Sequence, residues 1–423
     1  MSVLAGPRPD SITPRIARLI AERRPGYSLA SPFYNDREIF DLDVSAIFAR
    51  GWIFVATEAE VPEPGDYRTV EIGSYSVILV RDDDEEVRAW HNVCRHRGAR
   101  ILDDDQGSVG NIVCGYHKWT YGVDGRLLHA GQQPAAFDPG CFGLKPVHVR
   151  SVAGLLYLCL AEEPPADFED VAGRVAPYLL PHQLHRTKVA AQVDLVEDGN
   201  WKLVMENNRE CYHCDGHPEL SCSLFPTYGY TEADLPARLR PALDRYLAAD
   251  DVLRRSCEQR GMPYARIEEL SGRVTGFRIQ REPLDGAGES LSLDGSAISR
   301  RLLGDLDTPR LGRLSMHHQP NAWFHFMADH AVTFSVLPLA PDRTVLRTTW
   351  LVHEDAVEGD DYDVDALTNV WRQTNLQDGA LVARAQAGTA SPAYEPGPYA
   401  PSEYQVDEFC TWYAERLADQ VRA

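Results

Sequence analysis

The chain has 423 residues and a formal net charge of −21, with 44% hydrophobic and 25% charged residues. This length suggests two or three domains, and the composition is ordinary for a globular protein. The negative charge would repel nucleic acid phosphate and anionic lipid, and no apolar run approaches the about 18 residues of a membrane span, so we expect neither nucleic acid nor membrane partners.

The first predicted unit, residues 1–44, is helical. Residues 12–24 form a short basic segment, and the stretch "REIFDLDVSAIF" has apolar residues at helical spacing. The start of the chain has no apolar core followed by a cleavage site, which argues against a secretory signal. The nine cysteines are odd in number and follow no disulfide pattern, so we expect free thiols in a reducing cytoplasm.

The second predicted unit, residues 45–160, is all β. Its apolar residues alternate with a period of two, as in "YRTVEI", "YSVILV", "VRAWHNV" and "GLLYLCL". Gly73-Ser74 separates the first two of these strands, and two residues of this type predict a tight hairpin turn. A linker rich in acidic residues and proline, "AEEPPADFED", follows the unit.

Two pairs of metal-binding side chains lie between strands of this β unit: Cys94 with His96, and Cys114 with His117. In a Rieske [2Fe–2S] centre, one iron is bound by two thiolates and the other by two imidazoles. Each pair would then supply one ligand to each iron, which explains why a cysteine precedes a histidine twice. The alternative is a structural zinc site, but zinc fingers keep the cysteines together and place the histidines on a helix. We therefore predict that these four residues bind a [2Fe–2S] cluster.

The third predicted unit, residues 161–423, mixes strands and helices. We expect a strand at "TKVAAQVDLV", a helix at "NWKLVMENNRECYH" capped by Asp198 or Asn200, and a charged helical region at residues 232–260. Residues 280–300 are rich in glycine and serine and are predicted to be a loop. Three antiparallel strands, "NAWFHFM", "AVTFSVLPL" and "TVLRTTWLVH", precede a long helix at residues 362–388.

A second concentration of metal-binding side chains is the stretch "NNRECYHCDGH", residues 207–217. It contains Glu210, Cys211, His213, Cys214 and His217. A zinc knuckle, a catalytic iron site and a polar helix end are all compatible with this local composition. The spacing of His213 and His217 would place both imidazoles on one face of a helix.

Over nearly its whole length the chain resembles the Rieske non-haem iron oxygenases. The stretches that carry the resemblance are "CRHRGARI", "CGYHKWTYGVDGRL", "ENNRECYHCDGHPE" and "TNLQDGALVARAQAG". The resemblance implies that His213, His217 and Asp378 bind a mononuclear Fe(II), because such an oxygenase needs two histidines and one carboxylate and leaves positions open for O₂. The plainer interpretation of Asp378 is an acid on the surface of the long helix.

The same resemblance implies that Glu210 is an electron-transfer bridge between subunits, which joins His117 of one chain to His213 of its neighbour. A homotrimer is expected, because that path requires another copy of the chain. Cys211 and Cys214 are interpreted as packing residues beside the site, since thiolates bound to the iron would occupy the positions that O₂ needs.

The implied architecture is α+β. An N-terminal all-β Rieske domain precedes a C-terminal helix-grip domain, in which an antiparallel sheet wraps around a long helix, and residues 1–44 pack on this catalytic domain. The chain has no nucleotide-binding glycine fingerprint and no ferredoxin-type cysteine run. NADH electrons would therefore arrive through a separate flavin/ferredoxin-type reductase.

Within the family, the stretches "ADHAVTFSVLP", "TTWLVHEDAVEGDDYDV" and "SPAYEPGPYAP" resemble the branch that oxidises quaternary ammonium compounds. The implied reaction is the O₂-dependent N-demethylation of glycine betaine to dimethylglycine and formaldehyde. Stachydrine, carnitine or choline as substrate, and aromatic-ring hydroxylation, are alternatives. A trimethylammonium group binds best to aromatic faces, and Trp323, Phe324 and Phe326 are candidates. A Rieske electron carrier, a different class of protein, would need only residues 45–160 and leaves the second motif unexplained.

Overall fold

The computed structural model describes residues 12–422 of the chain, so the expectation about a secretory signal lies partly outside the described residues. The predicted α+β class is confirmed. The helices are α1 (Pro14–Ala21), α2 (Pro32–Asn35), α3 (Arg37–Asp43), α4 (Phe168–Leu179), α5 (Trp201–Asn207), α6 (Pro218–Ser221), α7 (Arg240–Gln259), α8 (Val364–Thr389) and α9 (Tyr404–Arg422). None of the helices in this part of the chain combines the length and the apolar character that crossing a lipid bilayer requires.

Within residues 12–422 all strand pairs are antiparallel, and the strands form three sheets. The strands are β1 (Ile53–Thr57), β2 (Asp66–Ile72), β3 (Tyr75–Arg81), β4 (Val87–His91), β5 (Gln106–Ser108), β6 (Ile112–Val113), β7 (Thr120–Tyr121), β8 (Leu127–His129), β9 (Pro146–Val152), β10 (Leu155–Cys159), β11 (Thr187–Glu197), β12 (Ile267–Glu269), β13 (Phe277–Glu282), β14 (Arg313–His318), β15 (Ala322–Phe326), β16 (Ala331–Ala340) and β17 (Arg343–His353).

The N-terminal sheet has seven strands in the order β1-β10-β9-β4-β3-β2-β5, and the small sheet β6-β7-β8 shares a hydrophobic core with it. The predicted hairpin turn between β2 and β3 is confirmed. Gly73 in this turn has a φ of +58°, and a Cβ at this position would lie 2.5 Å from Cγ1 of Val44. Glycine is therefore required both by the left-handed backbone and by the close approach of the N-terminal segment.

The N-terminal helices pack on the C-terminal half of the chain. Asp43, at the end of α3, accepts a hydrogen bond from the indole of Trp201 at 2.9 Å and pairs with the buried ammonium of Lys202. The hydroxyl of Tyr34 donates to Glu206 at 3.0 Å. Because Trp201, Lys202 and Glu206 all lie on α5, this segment fixes the helix that precedes the second metal-binding motif. The three domain limits given above stay predictions.

The C-terminal sheet has seven strands in the order β11-β17-β16-β15-β14-β13-β12, and helix α8 packs across it. Asp363 caps the start of α8 by accepting a hydrogen bond from the backbone N–H of Ala366 at 2.8 Å. Trp371 and Thr374 are buried on one side of the helix, and the 3.6-residue period places Asp378 on the same side. This arrangement is the predicted helix-grip architecture.

One face of the C-terminal sheet is polar where strands β13, β14 and β15 lie side by side. On one side of strand β14, Leu314 and Met316 are buried in a hydrophobic cluster. Because side chains alternate along a strand, the polar residues of β14 point to its other side. The register aligns this side with polar residues of both neighbouring strands. The polar face contains Arg278 and Glu282 of β13, Arg313, Ser315 and His317 of β14, and His325 of β15.

Candidate metal centres and active-site cavity

The two Cys–His loops of the N-terminal half have the same backbone design. In the first loop, the N–H of Gly98 donates to the carbonyl of Cys94 at 3.0 Å, and in the second, the N–H of Lys118 donates to the carbonyl of Cys114 at 3.1 Å. Gly98 and Lys118 both have positive φ, at +74° and +59°. Two similar turns therefore present a cysteine and a histidine each.

The structure brings the four predicted cluster ligands together. Cys94 and Cys114 are buried and their thiols contact each other. His96 and His117 are exposed, with ring centroids 4.6 Å apart. This donor set would hold a Rieske cluster through the two buried thiolates and the two exposed imidazoles. The four residues fit the group, and the exposed imidazole edge suits electron exchange with another protein.

Two aromatic residues support the loops. The hydroxyl of Tyr121 lies 3.3 Å from Sγ of Cys94 and accepts a hydrogen bond from the backbone N–H of Arg95 at 3.0 Å. Burial raises the pKa of Tyr121, so its hydroxyl keeps its proton and can donate to the sulfur. The ring of His96 stacks on Trp119 at 4.9 Å. Hydrogen bonds to the sulfurs are among the factors that set a cluster's reduction potential.

The second metal-binding motif begins where helix α5 ends. Asn200, one of the two predicted caps, caps α5 by accepting a hydrogen bond from the backbone N–H of Lys202 at 3.0 Å. The helix stops at Asn207, so the prediction that His213 and His217 share one helical face is wrong. His213 lies in a turn, and His217 follows a short 3₁₀ turn at Cys214–Gly216.

Local interactions replace the helix in this loop. The carboxylate of Glu210 accepts a hydrogen bond from the backbone N–H of Tyr212, a contact that competes with helical hydrogen bonds. A disulfide joins Cys211 to Cys214, whose Cα atoms are 4.9 Å apart, within the usual range for such a bond. The expectation of free thiols is therefore wrong for this pair, and neither thiol is available for a zinc knuckle. The other cysteines are free.

His213, His217 and Asp378 converge on one point. Nε2 of His213 lies 3.2 Å, and Nε2 of His217 lies 3.0 Å, from the same oxygen, Oδ1 of Asp378. Ligand atoms that bind one metal at right angles with bonds of about 2.1 Å would be about 3.0 Å apart. His217 Nε2 is buried and, despite this short distance, forms no hydrogen bond within the described chain. The three residues fit an iron bound by two histidines and one carboxylate.

A hydrogen bond orients each imidazole. Oε1 of Glu210 lies 2.5 Å from Nδ1 of His213, and Oε1 of Gln377 accepts a hydrogen bond from Nδ1 of His217 at 2.8 Å. Because each Nδ1 then carries the proton, each Nε2 can present its lone pair to a metal. The amide of Gln377 also donates to Glu219 at 2.9 Å, which fixes the orientation of the amide.

The carboxylates around the site hold protons on the metal-free imidazoles. Burial on its own would lower the pKa of His213, but Asp378 and Glu210 outweigh it and raise this pKa to about 10. Burial opposes ionisation of Asp378 too, yet the two histidines lower its pKa below the usual value. A bound divalent cation would replace these protons, as expected at a metal site.

A cavity of about 260 Å³ opens beside the three converging side chains. Its walls come from the loop after α5, the polar face of the C-terminal sheet and helix α8. Trp371 and Thr374 lie on the same side of α8 as Asp378, and the ring of Trp371 stacks on His325 at 4.5 Å. The volume suits a small organic molecule, and an indole face can hold a cation.

The aromatic residues that the sequence offered for a pocket do not line this cavity. Trp323 stacks on Phe334 at 4.9 Å in the hydrophobic core. Phe324 and Phe326 belong to a second hydrophobic cluster on the other side of the sheet. His325, which lies between these two in the sequence, reaches the cavity instead.

Several residues of the cavity walls are absent from the sequence-based prediction. Trp371 lies two helical turns before Asp378 on the predicted long helix, so its spacing was a usable signal. Arg313, Ser315 and His317 alternate with apolar residues in "RLSMHH", a pattern typical of a half-buried strand. Reading that alternation would have identified strand β14 and its polar face.

Two family models match the chain. The model described as "Ring hydroxylating alpha subunit (catalytic domain)" matches residues 184–419, and the model described as "Rieske [2Fe-2S] domain" matches residues 51–148. The first range contains His213, His217 and Asp378, and the second contains both Cys–His loops.

Known proteins are similar to the chain over most of its length. The glycine betaine monooxygenase oxygenase subunit of Chromohalobacter salexigens is 44% identical over 410 residues, which cover 96% of this chain and 89% of the relative. The subunit of the same name from Pseudomonas aeruginosa is 40% identical over 409 residues, which cover 96% and 92%. A solved quaternary ammonium Rieske monooxygenase in complex with L-carnitine has a TM-score of 0.66 at 19% identity, covers 94% of this chain and 97% of that one, and has the same fold.

Proposed function

The chain belongs to the Rieske non-haem iron oxygenases as an oxygenase alpha subunit, and from this premise we propose that it catalyses the oxidative N-demethylation of glycine betaine. The observation that carries the proposal is the convergence of His213, His217 and Asp378 beside a small cavity with an aromatic wall. The similarity to glycine betaine monooxygenase subunits over 96% of the chain supports this substrate.

In this proposal His213, His217 and Asp378 bind the mononuclear iron. When bound, the iron supplies the redox chemistry that activates O₂ and hydroxylates an N-methyl carbon. The protein orients the two imidazoles through Glu210 and Gln377, keeps their protons on Nδ1, and positions the substrate in the cavity.

The aromatic wall supports a quaternary ammonium substrate. Such a group has no N–H to donate, so its affinity comes from burial and from the faces of aromatic rings. Trp371 is held by its stacking on His325 at 4.5 Å and by an edge contact with Phe334 at 5.0 Å. Burial lowers the pKa of His325 well below its usual value, so this ring is neutral and does not repel a cation.

The overall reaction consumes one O₂, two electrons and two protons for each methyl group. One oxygen atom enters the N-methyl carbon and the other leaves as water. The hydroxyl group of the resulting N-hydroxymethyl ammonium releases its proton as the C–N bond breaks and formaldehyde leaves. The nitrogen keeps the bonding electron pair and becomes the tertiary amine of dimethylglycine.

The electrons are proposed to come from NADH through a separate flavin/ferredoxin-type reductase, and to enter at the cluster of Cys94, His96, Cys114 and His117. We propose a homotrimer in which Glu210 joins His213 to His117 of a neighbouring copy. Tyr212, next to Glu210, has 60% of its surface exposed, so the loop lies where another copy can reach it. A bonded chain of this kind shortens the path between the two metal centres.

The proposal is tested by supplying the iron-loaded protein with NADH, O₂, a competent reductase and glycine betaine. Formaldehyde and dimethylglycine should form in equal amounts, in step with NADH oxidation. NADH oxidation that yields peroxide without formaldehyde would count against this substrate. Stachydrine, carnitine and choline, tested in the same assay, would then identify a different quaternary ammonium substrate.

A further inference from the structure

Arg209 is a buried guanidinium in the wall of the active-site cavity, and the described part of the chain gives it no partner. It follows the end of α5, lines the cavity and has only 2% of its surface exposed. None of its three side-chain nitrogens forms a hydrogen bond with the residues that the structure describes. Burial of an uncompensated charge is costly, so such a group needs an anion to complete its surroundings.

The other two arginines of the cavity already have partners. Arg278 pairs with Glu268 at 2.8 Å, and Arg313 pairs with Glu282 at 2.8 Å. Arg209 therefore carries the unbalanced positive charge of this wall. Burial, followed by the charge of Arg278, lowers the pKa of Arg209 to about 9, so the guanidinium keeps its charge at neutral pH.

Among the described residues, each carboxylate that lines the cavity already has another partner, and Glu282 pairs with Arg313. Glu210 is engaged with Tyr212 and His213, and Asp378 faces the two imidazoles. The nearby ring of His317 is neutral, because burial and the charge of Arg209 lower its pKa well below the usual value.

We propose that Arg209 binds the carboxylate of a zwitterionic quaternary ammonium substrate and thereby determines the selectivity for betaines over uncharged or cationic analogues. This inference rests on the proposed function. Arginine presents two parallel N–H groups that match both oxygens of a carboxylate. Cζ of the guanidinium lies 5.2 Å from the centre of the Phe409 ring, a cation–π contact that helps to hold the group in place beside the cavity.

The two ends of the substrate are bound by different kinds of contact, as their chemistry requires. The trimethylammonium group makes no hydrogen bonds, so aromatic faces bind it without fixing its orientation. A carboxylate held by Arg209 would fix the other end of the molecule and present one methyl group to the site of His213, His217 and Asp378. A site built to hydrogen-bond one group discriminates strongly against analogues that lack it, because its own polar atoms then stay unpaired.

Anaerobic calorimetric titration of the iron-loaded protein with glycine betaine, choline and tetramethylammonium tests the proposal. The wild type should bind glycine betaine at least tenfold more tightly than either cation. Arg209→Met should weaken glycine betaine binding at least tenfold and change the binding of the two cations less than threefold, while Arg209→Lys should retain part of the preference. If Arg209→Met lost affinity for all three compounds equally, or kept its full affinity for glycine betaine, the assignment would be overturned.

A matched control is Arg281→Met, which removes another buried guanidinium. Arg281 points away from the cavity and donates to the carbonyl of Leu311 at 2.7 Å, so the preference for glycine betaine should persist.

If the Arg209 variants do not fold, titration of the wild-type protein with betaine methyl ester tests the proposal. This cationic ester should bind at least tenfold more weakly than glycine betaine, and equal affinities would refute the role of Arg209. Failure of the wild type to release formaldehyde from any betaine would instead refute the proposed function.

Discussion

Glu210 and His213 are joined by a contact of 2.5 Å between Oε1 and Nδ1. This contact lies on the edge of the imidazole opposite to the atom that faces Asp378. The carboxylate therefore sets the tautomer of His213, and it is also the group that we propose to reach a neighbouring copy.

Replacing this carboxylate separates electron transfer from metal binding. Glu210→Gln keeps the shape and an acceptor oxygen but removes the charge. We expect NADH-coupled demethylation to fall about 10- to 100-fold, while the electron paramagnetic resonance signal of the reduced cluster keeps its intensity. Asp215→Asn, an exposed change in the same loop, should leave turnover unchanged. A Glu210→Gln protein with normal turnover would remove Glu210 from the electron path.

The iron content tests the assignment of Asp378. Loss of one of three ligands should empty the mononuclear site, so Asp378→Ala should lower the iron content from about three to about two per chain. The cluster spectrum should stay unchanged and demethylation should be lost. Asp365→Ala, at an exposed position in the first turn of the same helix, is the control. A variant that retains about three irons per chain and its activity would contradict the assignment.

Trp371 tests the aromatic wall. Trp371→Leu preserves an apolar surface but removes the ring face, so we expect KM for glycine betaine to rise about tenfold, and Trp371→Phe should recover part of the loss. The ring of Trp323 lies in the core, stacked on Phe334, and Trp323→Phe should leave KM unchanged. Steady-state formaldehyde assays measure KM for each variant. An equal rise in KM for Trp371→Leu and Trp371→Phe would argue against a cation–π contact.

The buried carboxyl group of Glu197 should make the folding stability of the protein depend on pH. Burial, followed by the charge of Asp378, raises the pKa of Glu197 to about 8 from a usual value of 4.5. The folded protein then holds a proton that the unfolded chain releases between these two pH values, so stability falls as pH rises through this window. Glu197→Gln removes the effect, and its stability relative to the wild type should increase by about 3.5 kcal/mol between pH 5 and pH 8.

Thermal unfolding at several pH values provides the measurement. The melting temperature of Glu197→Gln should match the wild type near pH 5 and exceed it at pH 8. Glu163→Gln, which changes an exposed carboxylate, should follow the wild type throughout. If Glu197→Gln melts below the wild type at pH 8, the side chain is ionised in the folded protein and the prediction is wrong.

The sequence predicted both candidate metal-binding motifs because their residues lie in short loops with a spacing that suits metal ligands. A single turn is enough to bring Cys94 and His96 to the same cluster, and the same is true of Cys114 and His117. The contact of Asp378 with His213 is different, since it depends on how α8 crosses the C-terminal sheet. Only the family resemblance pointed to this long-range pair.

The sequence failed where tertiary contacts override local pattern. The stretch after Asn207 has helical spacing of its histidines, yet the Cys211–Cys214 disulfide and the Glu210 side chain fold it into turns. Arg209 illustrates the same limit, because the absence of a partner for a buried charge becomes visible only when the surrounding residues are in place.

The most direct test of the central claim is a single turnover without any reductase. Protein that carries a reduced cluster and ferrous iron is mixed with glycine betaine and O₂, and the products are quantified. The account predicts formaldehyde and dimethylglycine in equal amounts, of the order of one per chain, as the cluster becomes oxidised. Oxidation of a fully loaded protein that yields no formaldehyde from glycine betaine would contradict it.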